Sequence, residues 1–342
     1  MTSDYLQDIQ SQPELLRTAL QTHLAAGSQT HAAAAVLRSA RGKRIILTGM
    51  GSSFYSAYPA MLSLIAAGYA VQHIELSELL HFAPGTLTSD TILIIISQSG
   101  ETIEAVRLLA NVKPQSTIIA VTNNPTSTLA KAAHYIVPHL AGAERAVATK
   151  TYTTSLVALG VLVRLTMGES PEQVHTAITP ALTAMQALNS AFAASALPAL
   201  WRTWGAITFV GRGPSYATAM AGSLLFKETA RMPADALSSA QFRHGPLETA
   251  GPKLRAIICA GPGATLGFDV RLADELHAYG SAVWLIGPVS EPKPYPVTII
   301  PALDYAPLAE IIPLQHAAGA LTLAIGLQPG EFAHIGKVTD SE

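Results

Sequence analysis

Cysteine, charge and long apolar runs are all scarce in this sequence, and each shortage excludes something. Cys259 is the single cysteine, so a disulfide within the chain and a cysteine-based metal cluster are ruled out. Its place in the run Ala256-Ile257-Ile258-Cys259-Ala260 reads as a buried strand position. Charged residues make up 13% of the chain, against roughly 25% in an ordinary soluble domain, so much of the surface is expected to be covered. A net charge of -2 offers no basic field for nucleic-acid phosphates, and no nucleic-acid partner is expected. No run reaches the ~20 apolar residues of a membrane span. The opening Met1-Thr2-Ser3-Asp4-Tyr5 lacks the basic and apolar regions of a signal peptide, so the expected location is cytoplasmic. His73, His81, His134 and His139 show no spacing such as H-x-x-x-H, so no metal and no cofactor is expected.

What the chain does have is apolar residues, 49% of the total, set out as short strand-like runs alternating with helical patterns. In Thr91-Ile92-Leu93-Ile94-Ile95-Ile96-Ser97-Gln98-Ser99-Gly100-Glu101-Thr102, β-formers run into a cluster of hydroxyls and a glycine. Helical spacing follows from Ile103, so the stretch predicts a buried strand, a tight turn and a helix start. Ser97, Ser99 and Thr102 offer hydroxyl donors, Gly100 permits close approach, and the first N–H groups of the helix have no intrahelical partner. Taken alone, the turn fits either of two readings: hydroxyls that cap the helix, or a cradle for phosphate.

A second turn of this kind, Gly49-Met50-Gly51-Ser52-Ser53, follows a strand over 43–48 and opens a helix over 54–67. Further strands over 71–74, 91–96, 116–121 and 135–137 predict a parallel sheet covered on both faces, with ligands bound outside the carboxyl ends of its strands. Two helical patterns over 5–40, interrupted by Pro13, precede that sheet. A new strand over 206–210 then restarts the pattern.

The restart is a repeat. Gly49 and Gly211, Gly51 and Gly213, and Ser53 and Ser215 each lie 162 residues apart, as do the runs beginning at Ser77 and Ser239. The chain is therefore expected to be a duplicated α/β unit, organised as an N-terminal helical arm over 1–40, a first domain over 41–166, a helical connector over 167–200, a second domain over 201–327 and a tail over 328–342. At the same offset Ser97-Gln98-Ser99-Gly100 falls opposite Cys259-Ala260-Gly261-Pro262, where every hydroxyl is gone. Turn geometry needs hydroxyls no more in one copy than in the other, so the asymmetry favours phosphate in the first.

The second copy carries Glu228 near a helix end and His244 in Phe242-Arg243-His244-Gly245-Pro246, a carboxylate and an imidazole suited to moving protons near neutral pH. Each has a plain alternative: Glu228 solvated or paired with Arg231, His244 structural. In the tail, Phe332, Ile335 and Val338 predict packing on the body, which would desolvate Lys337 and make its amine nucleophilic toward a carbonyl.

Together these motifs resemble the sugar isomerase (SIS) family in its double-domain form, as in the isomerase half of glucosamine-6-phosphate synthase and its stand-alone aminosugar-phosphate deaminase and deglycase relatives. The matching residues are Gly49-Met50-Gly51-Ser52-Ser53, Ser97-Gln98-Ser99-Gly100-Glu101-Thr102, Ala148-Thr149-Lys150, Phe226-Lys227-Glu228, His244-Gly245-Pro246 and Lys337-Val338-Thr339, with Gln12-Pro13 near the start. The resemblance implies two tandem flavodoxin-like domains, each a five-stranded parallel sheet between helices. It implies a sugar 6-phosphate held by Ser53, Ser97, Gln98, Ser99 and Thr102, with Gly51, Ser52, Ala148 and Lys150 also near substrate. It assigns proton transfer to Glu228, ring opening to His244 and a Schiff base to Lys337, and implies a homodimer in which His244 serves the neighbouring subunit's site.

Three departures bear on the reaction. Thr2 follows Met1 where the synthase's glutaminase half begins with cysteine, so glutamine is not expected to be the ammonia source by that route. Gln241 stands where the synthase has glutamate, and the segment between Glu144 and Lys150 is one residue shorter. The expected activity is conversion of glucosamine 6-phosphate to fructose 6-phosphate and ammonia. The alternatives are a fructosamine-6-phosphate deglycase and, in another class, a non-catalytic sugar-phosphate sensor.

Overall fold

The computed structural model describes residues 4–111, 116–144, 147–192, 206–334 and 336. They gather into two compact units. Of these described residues, the first unit comprises those within 14–144, 150–178 and 333–336, and the second those within 4–13, 147–149 and 179–332.

In the first unit, β1 (Arg44–Thr48), β2 (Ala70–His73), β3 (Thr91–Ile96), β4 (Thr117–Thr122) and β5 (Tyr135–Pro138) form one sheet in the order β2-β1-β3-β4-β5. Every pairing is parallel. All six residues of β3 are buried, as a strand covered on both faces requires. On one face Ile46, Leu93, Ile95 and Ala120 pack with Leu76, Leu79, Ala105, Leu108 and Leu129. The helix over 150–166 is buried along its whole length except at Arg164.

In the second unit, β6 (Ala206–Gly211), β7 (Ala234–Ser238), β8 (Leu254–Cys259), β9 (Ala282–Gly287) and β10 (Val297–Ile299) form a second parallel sheet in the order β10-β9-β8-β6-β7. Read from its other edge this is the first order again, the flavodoxin-like arrangement with a switch point beside the central strand. The two-sheet α/β architecture expected from the sequence is therefore present.

The repeat carries one correction. Arg44 pairs with Thr91 in the first sheet, whereas Ala206 pairs with Leu254 in the second: 206 − 44 is 162, but 254 − 91 is 163. The second copy has gained a residue before its third strand. Ser97-Gln98-Ser99-Gly100 therefore falls opposite Ala260-Gly261-Pro262-Gly263, not the Cys259-Ala260-Gly261-Pro262 expected from a constant offset. Ser97 N–H donates to Val121 O at 3.0 Å and Ala260 N–H to Ile286 O at 2.8 Å, equivalent places on the two sheets. The corrected register aligns Gly100 with Gly263, both at positive φ (65° and 106°), and Thr102 with Thr265, so the second turn keeps that one hydroxyl while Ala260 and Pro262 stand where the first has Ser97 and Ser99.

Two helices also differ from expectation. Pro13 does not interrupt the first helix, α1 (Asp4–Leu24). Proline removes the donor that Ile9 O would receive four residues on, and the orphaned carbonyl takes the side-chain amides of Gln12 at 3.2 Å and Asn189 at 3.1 Å instead. After α2 (Gln29–Ser39), the helix expected over 54–67 is two, α3 (Gly51–Ser56) and α4 (Tyr58–Ala66). Pro59 sits in the first turn of α4, where its missing N–H costs nothing.

Candidate functional site

The hydroxyl-rich turn lies where β3 ends, before the helix α6 (Ile103–Asn111) and after α5 (Leu76–His81). Its own hydroxyls shape it. Ser97 Oγ accepts from Gly100 N–H at 3.1 Å and lies 2.9 Å from Thr102 Oγ1, and Ser99 Oγ accepts from Glu101 N–H at 3.1 Å. Gly100 adopts φ 65°, and a Cβ there would run into the Ser127 side chain, so only glycine fits. The chain after β4 braces the turn from the side. Gln98 O accepts from Asn123 N–H at 3.1 Å and Thr122 Oγ1 at 3.3 Å, Gly100 O from Leu129 N–H at 3.1 Å, and Glu101 Oε1 from Thr128 N–H at 2.7 Å. That last bond lowers the carboxyl pKa of Glu101.

Among the described residues no acceptor meets the N–H of Gln98, Ser99 or Thr102. Open donors and hydroxyls at a helix start form an anion-binding arrangement. The Gly49 turn abuts it, since a Cβ on Gly49 would stand 2.9 Å from Ile96 O, the last carbonyl of β3. Gly51, Ser52 and Ser53 open α3 and are each half-exposed, and Ser53 N–H donates to Met50 O at 3.1 Å. The structure thus brings Gly51, Ser52, Ser53, Ser97, Gln98, Ser99 and Thr102 to neighbouring turns on the carboxyl edge of one sheet.

The next elements are α7 (Thr128–Ala132) and α8 (Lys150–Thr166). Lys150, the first residue of α8, is buried, and its Nζ donates to Ala143 O at 2.6 Å. Glu144 accepts from Thr151 N–H at 3.0 Å and Thr151 Oγ1 at 2.8 Å. Ala148 is half-buried just ahead of that helix.

In the second unit, after α9 (Pro171–Phe192), the helix α10 (Ser215–Ala230) carries Glu228 in its last turn, half-exposed. Arg231 closes α10 at φ 53° in the left-handed conformation. His244 follows α11 (Ser239–Phe242) on an exposed tight turn, its N–H donating to Gln241 O at 2.9 Å and Gly245 following at φ 118°. An ion pair from Arg243 to Glu275 at 2.7 Å ties this turn to α12 (Leu266–Ala278). Lys337, and with it Ile335 and Val338, lies outside the described residues; Phe332 is half-buried.

Sequence reasoning missed Glu310, on the buried helix α13 (Ala306–Ala324). Its carboxyl group accepts from Ser215 Oγ at 2.7 Å and Thr218 Oγ1 at 2.8 Å. Burial pushes its pKa up to about 7, only partly countered by those hydroxyls. Nearby Asp269 is also buried and pushed up by desolvation, with Arg212 Nε 3.5 Å away. The signal was available: Glu310 is the single charge in Ala306-Pro307-Leu308-Ala309-Glu310-Ile311-Ile312-Pro313-Leu314, where a lone carboxyl group needs buried partners.

Among the described residues, no cluster of three His, Cys, Asp or Glu could hold a metal ion, and no helix is long and apolar enough to cross a membrane.

Residues 37–165 match the SIS domain family, which covers the first sheet and both of its glycine-serine turns. Glutamine–fructose-6-phosphate aminotransferase (isomerizing) of Zymomonas mobilis is 30% identical over 259 residues, 71% of this chain and 42% of that protein. The chain spans about half the length of the curated relatives it matches. Among solved structures, the C-terminal domain of glucosamine-fructose-6-phosphate aminotransferase from Francisella tularensis superposes with a TM-score of 0.82 at 22% identity, over 97% of this chain and 99% of that one. A glucosamine-6-phosphate deaminase from Thermotoga maritima superposes with a TM-score of 0.79 at 18% identity, over 98% and 99%. Over most of its length the chain is thus similar in sequence to part of such aminotransferases, and residues 37–165, which include its first sheet, match the SIS domain family.

Proposed function

We propose that this chain is a phosphosugar enzyme of the tandem SIS type, acting on an aminosugar or ketose 6-phosphate. The observation that carries the reading is the turn at residues 97–102, which combines hydroxyls, open N–H donors and a helix start at the end of a buried strand. A dianionic phosphate gains from such donors, and a neutral sugar gains much less.

On this reading Ser53, Ser97, Gln98, Ser99 and Thr102 hold the phosphate, with Gly51, Ser52, Ala148 and Lys150 near the sugar. His244 opens the ring by moving a proton between the ring oxygen and the anomeric hydroxyl, and Lys337 forms an imine with the ketose carbonyl. Glu228 carries a proton between C1 and C2, the general acid–base step that interconverts aldose and ketose. For glucosamine 6-phosphate the sum balances with one water taken up, yielding fructose 6-phosphate and ammonia. A homodimer with shared sites fits the exposure of His244 and the low charge of the chain.

The test is to incubate the pure protein with glucosamine 6-phosphate and, separately, with fructosamine 6-phosphates, assaying ammonia and sugar phosphate. Turnover of the first supports the deaminase reading, and turnover of the second alone moves the assignment to a deglycase. Tight phosphosugar binding with no turnover of either would refute the enzyme. Borohydride reduction in the presence of substrate should add the sugar mass to the wild-type protein and not to Lys337→Ala; full activity in that variant rules out the imine.

A further inference from the structure

Behind the phosphate turn, Asn123 makes hydrogen bonds in two directions. Its N–H donates to Gln98 O at 3.1 Å, on the turn itself. Its side chain brackets the segment after β5: Oδ1 accepts from Ala141 N–H at 3.0 Å and Nδ2 donates to Gly142 O at 2.8 Å. A backbone donor beside a backbone acceptor fixes which end of the amide faces which group.

That segment needs holding. Leu140 adopts φ 60° and Gly142 φ 64°, and a branched residue keeps the left-handed conformation only where its surroundings impose it. The bond from His139 N–H to Thr122 O at 2.9 Å holds one side of Leu140, and Asn123 holds the other. The segment continues to Ala143, whose carbonyl receives Lys150 Nζ, and to Glu144, which caps the first turn of α8.

Resting on the functional reading above, we propose that Asn123 is a positioning residue for phosphosugar binding. It keeps the phosphate turn and the segment that anchors Lys150 in register as one piece. It touches no reacting atom, so its loss acts on binding more than on the chemical step.

The experiment compares wild type with Asn123→Ala in steady-state kinetics on the phosphosugar that wild type turns over, with inorganic phosphate as competitor, and in hydrogen exchange of the amides over 139–144. The expected result is a KM raised about tenfold with kcat within about twofold, weaker competition by phosphate, and faster exchange confined to that segment. Unchanged KM and phosphate competition in folded Asn123→Ala would overturn the proposal, and so would a loss confined to kcat. Should Asn123→Ala fail to fold, Asn123→Asp replaces it under the same two outcomes, since it keeps the acceptor for Ala141 N–H and sets an oxygen against Gly142 O. Wild type that binds neither phosphosugar nor phosphate refutes the functional reading and this inference with it. Wild type that binds both, with the variant indistinguishable, refutes this inference alone.

Discussion

Ser215 donates its hydroxyl to the buried carboxyl group of Glu310 at 2.7 Å, and Ser215 is the residue that matches Ser53 of the first copy at the offset of 162. Where the first copy presents a half-exposed serine at its glycine turn, the second has turned the equivalent hydroxyl inward onto its own chain. The first copy's serine therefore stays half-exposed at its turn, and the matching serine of the second is spent on holding α13.

Glu310 makes stability depend on pH. Its folded pKa, about 7, lies above its ordinary value, so the folded state holds a proton that the unfolded state has released. Its contribution is full below about pH 4.5 and lost as pH rises through about 7. Glu310→Gln should remove that loss, raising stability at pH 8 relative to wild type by on the order of 3 kcal/mol at most, as read by urea unfolding at pH 5 and pH 8. An equal change at both pH values would show that the carboxyl does not titrate in this range.

Three histidines act in the opposite sense. Burial lowers His23, His73 and His139 to about 4, so each is neutral in the folded state while the unfolded chain takes up a proton below about 6.5. Their contribution is present at neutral pH and is lost as pH falls from about 6.5 to about 4. His139→Gln should flatten that decline without altering the slope above pH 7. Denaturant midpoints between pH 4.5 and 7.5 decide it, and an unchanged acid slope counts against the assignment to His139.

Ser97 and Ser215 should separate binding from stability. Ser97→Ala deletes the acceptor for Gly100 N–H and a donor for the anion, and a hydrogen bond to a charged group is worth about 1.5–3 kcal/mol, so phosphosugar affinity should fall roughly 10- to 100-fold. Ser215→Ala leaves Glu310 short of a donor and should cost about 1–3 kcal/mol of stability with phosphosugar affinity unchanged. Calorimetric titration and thermal unfolding of both variants read this directly; equal affinity losses would mean that the two copies are functionally alike.

Gly100→Ala tests the shape of the turn. Alanine at φ 65° is strained, and its methyl would collide with Ser127, for an expected cost of about 1–3 kcal/mol together with loss of phosphate binding. Gly142→Ala, also at positive φ but with open space around the added methyl, should cost less than Gly100→Ala. The ranking of their melting temperatures checks the steric argument.

The alternation of strands and helices, the duplication, and the strand–turn–helix at residues 97–102 were legible in the sequence, because periodicity and turn chemistry act over a few neighbouring residues. The sequence also singled out Glu228 and His244, though nothing local showed that His244 would stand exposed. The tertiary structure decided what depends on partners far along the chain. Pro13 reads as a helix break until Asn189 reaches Ile9 O across 180 residues, and a constant repeat offset holds until strand pairing reveals one added residue. Glu310 is one more position in an apolar helix until folding buries it beside Ser215 and Thr218. A buried polar group must find its partner wherever the fold supplies one, and no short window of sequence contains that partner.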